Sequence, residues 1–266
     1  MNELLLSEIS NAQEDLIQTF SLLEKSIFGE SQEPNSALLP IIESCEQACQ
    51  DIDEELDKAE LFINSLFVDQ LFIDEQTNQW PLASFKLASG IKQRKLFPTL
   101  KAAVIAHLAR ECNFEADCVF VPNKVMVRII CEEQYAIIFD PITGESINYQ
   151  ELDRRMEEMA SEPEDYHLAP VDVNTLIVEY LNACKQSLIE AGSFEQALRC
   201  VDLLIAFKPD SPEQRVERGF LLHQLDCFKV AYDDYRYFVE QCPDDPAAQL
   251  LKLQLENIKI NETILH

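Results

Sequence analysis

The chain has 266 residues, 47% of them hydrophobic, which allows one large or two modest domains with real cores and excludes wholesale disorder. Its 48 acidic and 21 basic side chains leave a formal net charge of -27. A surface this negative repels phosphate backbones and anionic lipids, because nucleic-acid affinity rests on Lys and Arg displacing counterions, so nucleic acid and membranes are not expected as partners.

The acids crowd the beginning of the chain, where residues 1–75 hold 18 acids against 2 bases. Residues 1–60 read as an acidic helical segment. An apolar face runs through Leu16, Phe20, Leu23 and Phe28, GESQEPNS breaks the pattern, and a second helix is expected from about Ala37 to Asp57. Its run of carboxylates from Glu43 to Glu60 reads as a solvated face. The start of the sequence shows no basic leader, and no apolar run is long enough to cross a bilayer, so a cytoplasmic location is expected. The nine cysteines are odd in number and lack a CxxC pair, which makes them reduced core residues. Cys45 and Cys49 have no His or third Cys near them in sequence to complete a zinc shell. No metal or other cofactor is expected.

Residues 61–160 form the next expected unit. The helical pattern continues to about residue 115, with Pro98 placed to open a helix through Thr99, Val104 and Leu108. Between residues 76 and 110 there are six bases and no acids, a local reversal of charge that includes Lys92, Arg94 and Lys95. The period then changes from 3.6 to 2. Three short strands, CVFVP, KVMVRIIC and YAIIF, predict a small antiparallel sheet, followed by a break at Asp140-Pro-Ile-Thr-Gly144 and a helix over Glu151 to Met159. The polar stretch 161–170 reads as a linker.

Residues 171–266 contain two matching segments 34 residues apart, SFEQALRCVDLLIAFKPDSP and CFKVAYDDYRYFVEQCPDDP. Phe194/Phe228, Ala197/Ala231 and Pro209/Pro243 keep the offset. This is the tetratricopeptide pattern, in which helical hairpins bury their apolar faces against their neighbours. Two hairpins are expected, about Val173 to Lys208 and Pro212 to Gln241, with a closing helix over Ala247 to Lys259. Gly219 holds the close-packing position of the second repeat, whereas the first has Lys185 there. In this register the concave face carries Glu179, Asn182, Gln186 and Glu190, then Glu213, Val216, Phe220, His223 and Gln224. The expected ligand is a protein or peptide segment that is basic or amphipathic.

The segments RKLFPTL (94–100) and Pro122-Asn-Lys-Val-Met-Val-Arg128, the DPxxG turn at 140–144 and the paired repeats together resemble the SirB family, whose members join a transglutaminase-like domain to tetratricopeptide repeats. The resemblance implies an α+β fold that is mostly helical, with a small antiparallel sheet followed by a helical repeat domain. In active members of the wider class, a Cys at a helix start is the nucleophile, a His is the base and an Asp orients it. Carried over by motif, those positions fall at Pro98, Lys124 and Asp140, so only the acid survives. Loss of a triad nucleophile costs roughly six orders of magnitude in turnover in studied hydrolases. The expectation is therefore a pseudoenzyme with Lys92, Arg94, Lys95 and Lys124 around the former cleft, acting as an adaptor or regulator; the family name implies control of invasion genes. The rival class is a cysteine-type amidase or acyl transferase with a displaced triad.

Overall fold

The computed structural model describes residues 2–12, 15–29, 32–122, 124–132, 135–157 and 168–264, with side chains omitted for 2–4 and 256–264. Residues 161–167 of the expected linker, and His167 with them, lie outside the described residues. The chain divides into two units, one comprising residues 8–180 and the other residues 1–7 and 181–266.

The first unit is organised around a helix that is apolar on nearly every side. Helix α6 (Pro98–Glu111) opens on Pro98, whose missing N–H is no loss at that position, and buries Thr99 through Ala106, Leu108 and Ala109. A helix of this kind must be covered all round. Helices α2 (Leu16–Phe28), α3 (Asn35–Cys49) and the sheet described below pack against it. Before these comes α1 (Asn2–Asn11). The Asp15 side chain accepts from the Gln18 N–H to start α2, and Gly29, at φ 83°, ends it.

The helix expected over Ala37 to Asp57 is in fact two. Helix α3 stops at Cys49, and α4 (Glu55–Asn64) starts after Glu54, which is extended. The intervening Asp51, Asp53 and Glu54 repel one another, and Asp favours helix starts over interiors, so the acidic run divides the helix instead of decorating one. The helical reading of 61–115 also fails in part: after a π-turn (Ser65–Asp69) the chain is irregular from residue 70 to 81. Pro81, Asn78 and Thr77 are poor helix formers. A 3₁₀ turn (Leu82–Phe85) and the short α5 (Leu87–Gln93) then lead to α6.

Strands β1 (Glu115–Val121), β2 (Lys124–Glu132) and β3 (Tyr135–Phe139) form an antiparallel sheet in that order, with Val119 opposite Met126 and Val127 opposite Phe139. Side chains alternate faces. Val119, Val121, Met126 and Ile138 therefore share one face, where Ile147, Leu152 and Leu168 cover them. The opposite face, with Val125, Val127 and Ile129 buried, packs on α6. Helix α7 (Tyr149–Glu157) follows the DPxxG turn.

Helix α8 (Val173–Glu190) has its first turns in the first unit and its remainder in the second, and from it onward the 34-residue period is visible in the backbone itself. Helices α8 and α9 (Phe194–Phe207) form one hairpin, α10 (Pro212–Gln224) and α11 (Phe228–Gln241) the next, and α12 (Pro246–Ile264) follows. Gly192 (φ 69°) and Asp226 (φ 60°), one period apart, make the same left-handed turn between the helices of each pair. Ala197 and Ala231 are both buried. At Gly219 a Cβ would sit 2.7 Å from the Tyr235 ring, which is why the second repeat has no side chain there. Lys185, at the equivalent place in the first repeat, is accommodated by polarity instead of smallness: its buried ammonium donates to Asn182 at 3.0 Å and pairs with Glu217 at 2.5 Å.

Candidate functional site

The positions carried over from the transglutaminase-like pattern fall on three elements of the first unit. Pro98 begins α6, Lys124 begins β2, and Asp140 follows β3. Lys124 and Asp140 form an ion pair. The rest of the Asp140 carboxylate is also engaged: Oδ1 accepts from the Ile142 N–H at 2.7 Å and Oδ2 from Gln76 Nε2 at 3.1 Å. Asp140 is buried and its backbone closes the turn, donating to the Glu145 carbonyl and accepting from the Gly144 N–H. Its carboxylate is thus held by a cation and two neutral donors, none of them an imidazole. Pro98 offers no side-chain donor or nucleophile. Thr99, the adjacent hydroxyl, is fully buried beside Glu179 and completes no hydrogen bond of normal geometry.

A residue that the sequence reading treated only as one of six bases lies at this site. Lys101 sits one turn into α6 and is fully buried, with Nζ donating to the Phe72 carbonyl. Burial pulls its pKa down to about 8, against the opposing pull of Asp74 and Asp140. The signal was available: Lys101 is the one Lys, Arg, Asp or Glu between Leu96 and Ala109 in an otherwise apolar run. Asp74, whose backbone N–H donates to the Ile142 carbonyl at 2.9 Å, faces Lys95 at 3.9 Å. Arg94 is held at positive φ and donates to the carbonyls of Gln70 at 2.8 Å and Ile91 at 2.6 Å, with its guanidinium over the Phe72 ring. Lys92 is exposed. Of the four bases named for a positive patch, Lys95 and Lys124 are therefore engaged with carboxylates and Arg94 with carbonyls.

Most of the thiols are buried and held protonated. Burial pushes Cys45 up to about 11 and Cys112 and Cys118 up to about 12, and it also raises Cys49 and Cys131. At neutral pH these five are thiols, not thiolates. Cys184 and Cys200 are buried, Cys227 is exposed and Cys242 is half-buried. Among the described residues no group of three His, Cys, Asp or Glu side chains is arranged to hold a metal ion.

The residues expected on the concave face of the repeats separate on inspection. Glu179 requires a correction: it belongs to the first unit, where burial beside Thr99 raises its pKa, because the first two turns of α8 pack there. The others are in the second unit. Gln186 donates to Glu190 at 3.0 Å, Glu213 accepts from Ser211 at 2.8 Å, Asn182 accepts from Lys185, and Val216 is half-buried. Phe220 is 43% exposed, an apolar ring presented to solvent. Gln224 and His223 are exposed, and the His223 ring contacts Phe228 and Tyr235 at 5.2 and 6.4 Å. Together with Tyr232 and Leu255, these rings line a cleft of about 730 Å³. The sequence reading missed its α11 side, because Phe228 and Tyr235 sit at repeat positions that read as packing.

A buried, anchored acid beside a sheet and an apolar helix, followed by stacked helical hairpins, defines a class that comparison with known proteins makes specific. The pattern of the transglutaminase-like superfamily matches residues 33–182, and that of the tetratricopeptide repeat matches residues 184–256. The chain belongs to the transglutaminase-like superfamily. Its relatives include a UPF0162 protein of Vibrio cholerae, 31% identical over 62% of each chain, and the UPF0162 protein YchA of Escherichia coli K12, 31% identical over 66% of each. Protein SirB1 of Salmonella typhimurium is 29% identical, also over 66% of each chain. The aligned part thus spans a little under two thirds of each relative. No solved structure matches the chain.

Proposed function

We propose that this protein is a cytoplasmic, non-catalytic interaction protein of regulatory type, in which a transglutaminase-like site has become a structural anchor and the repeats bind a protein segment. The observation that carries this reading is the state of Asp140. In a working triad that carboxylate would orient a histidine; here it is consumed by Lys124, Gln76 and the Ile142 N–H. A general base is missing as well, since an ammonium that is paired with a carboxylate does not accept a proton. The regulatory part of this reading rests on the resemblance to the SirB family, to which the 29% identity with protein SirB1 of Salmonella typhimurium adds support. Exposed Phe220, together with exposed Glu190 and Glu213 in the same repeats, supports a partner that is basic and partly apolar.

Alkylation by iodoacetamide at neutral pH tests the site directly. Cys227 and Cys242 should react at the rate of ordinary free thiols and the buried cysteines should be protected, with the same pattern in the Asp140→Ala variant. One cysteine reacting far faster than the rest, and losing that advantage in Asp140→Ala, would establish a displaced cysteine site and overturn the reading.

A further inference from the structure

The first unit carries an open groove that neither the former catalytic positions nor the repeats explain. It lies along the outer edge of β3, which residues 145–147 cover only at its C-terminal end, between that strand and α4 with its π-turn, and has a volume of about 500 Å³. Its apolar floor comes from Ile63, Phe67, Ile137 and Ile147, with Val68 and Ile73 on the lip. Val68 is 59% exposed and Ile73 60%, and Leu71 between them is 65% exposed while held at φ 58°. A leucine in the left-handed region is strained, and here no burial of its side chain offsets the strain. Three aliphatic side chains are thus displayed to water within six residues.

The strand beside them is incompletely paired. Ile138 uses its outward carbonyl to accept from the Ile147 N–H at 2.8 Å, which fixes the even-numbered residues of β3 as those whose backbone groups point away from β2. Ala136 is the next such residue, and among the described residues its outward N–H and carbonyl meet no backbone partner. An exposed edge of this kind is a template for another strand. The charged residues that line the groove among the described residues, Glu60 and Glu145, are both acidic and exposed, and no described base lines it.

We propose that this groove is a second docking surface, which takes an extended peptide segment with apolar side chains alternating with lysine or arginine. The segment pairs with β3 through Ala136, seats its apolar side chains against Ile137, Val68 and Ile73, and sets its cations toward Glu60 and Glu145. This surface is independent of the repeat groove proposed above, and its failure would leave that proposal standing.

The test uses the full chain and a fluorescein-labelled synthetic heptapeptide of alternating lysine and valine, with a glutamate-for-lysine analogue as control. Fluorescence anisotropy should show saturable binding of the lysine peptide that weakens with salt, and none of the analogue. The informative variant is Val68→Asp/Ile73→Asp. It makes the protein more negative, so generic attraction would tighten binding, whereas loss of the apolar seat should weaken it at least about tenfold. Ala136→Pro, which removes an N–H that β2 does not use, should also weaken it with the thermal melt retained, and Phe220→Ala should leave it unchanged. Absence of saturable binding would overturn the proposal. So would equal or tighter binding by Val68→Asp/Ile73→Asp, or a loss caused by Phe220→Ala. Concentration-dependent dimerisation abolished by the aspartate pair would reassign the groove to a second copy of the chain and equally overturn it.

Discussion

Lys101 is a single buried cation whose place in the fold has a measurable consequence for stability. Its ammonium lies inside the first unit against the Phe72 carbonyl, and burial lowers its pKa from the ordinary 10.5 to about 8. Between those two values the folded protein has released a proton that the unfolded chain still holds, so the contribution of Lys101 to stability rises with pH across that interval. The buried thiols work in the opposite sense at alkaline pH, so the comparison must be made between proteins that share them. Chemical denaturation of the wild type and Lys101→Met from pH 7 to pH 10.5 should show their difference moving in favour of the wild type as pH rises, by on the order of 3 kcal/mol at most. A pH-independent difference would mean that Lys101 titrates in the folded protein as it does in the unfolded chain, and so is not desolvated. At this scale the sequence marks positions but not their partners. Pro98 and Lys124 can be picked out by motif, but the Lys124–Asp140 pair, the Gln76 contact and the burial of Lys101 depend on residues from distant segments that only the fold brings together.

Among the elements, the DPxxG turn after β3 is the most tightly specified. Asp140 caps it through Ile142, and Gly144 closes it at φ 76° with the Phe67 ring directly beneath. A Cβ at Gly144 would lie 2.7 Å from that ring, so Gly144→Ala combines backbone strain with overpacking and should cost about 2–4 kcal/mol in denaturant unfolding. A cost under about 0.5 kcal/mol would mean that the turn relaxes freely and is no anchor. Elements with strong local periodicity were readable: the strands, α6 with Pro98 at its start, and the repeat helices. The acidic second helix was not, because hydrophobic spacing continues across residues 50–54 while the repulsion among Asp51, Asp53 and Glu54 breaks the backbone there. The groove position of Glu179 was misread for a related reason: the repeat register continues to the start of α8, but its first turns pack in the other unit.

For the whole molecule, the pattern of charge and exposure agrees with an interaction protein. A net charge of -27 disfavours phosphate-bearing partners, and among the described residues no helix is long and apolar enough to cross a membrane. Exposed apolar side chains include Phe220 and Phe228 in the repeats and Val68, Leu71 and Ile73 in the first unit. The chain belongs to the transglutaminase-like superfamily, and the proposal most open to direct test is that it has no amide-cleaving activity of its own. Its most direct measurement is ammonia release from glutamine-containing peptides by the purified full chain, with Asp140→Ala alongside. The account predicts release at the buffer rate by both proteins, since Pro98 supplies no nucleophile and Lys124 occupies Asp140. Release by the wild type that Asp140→Ala abolishes would contradict it.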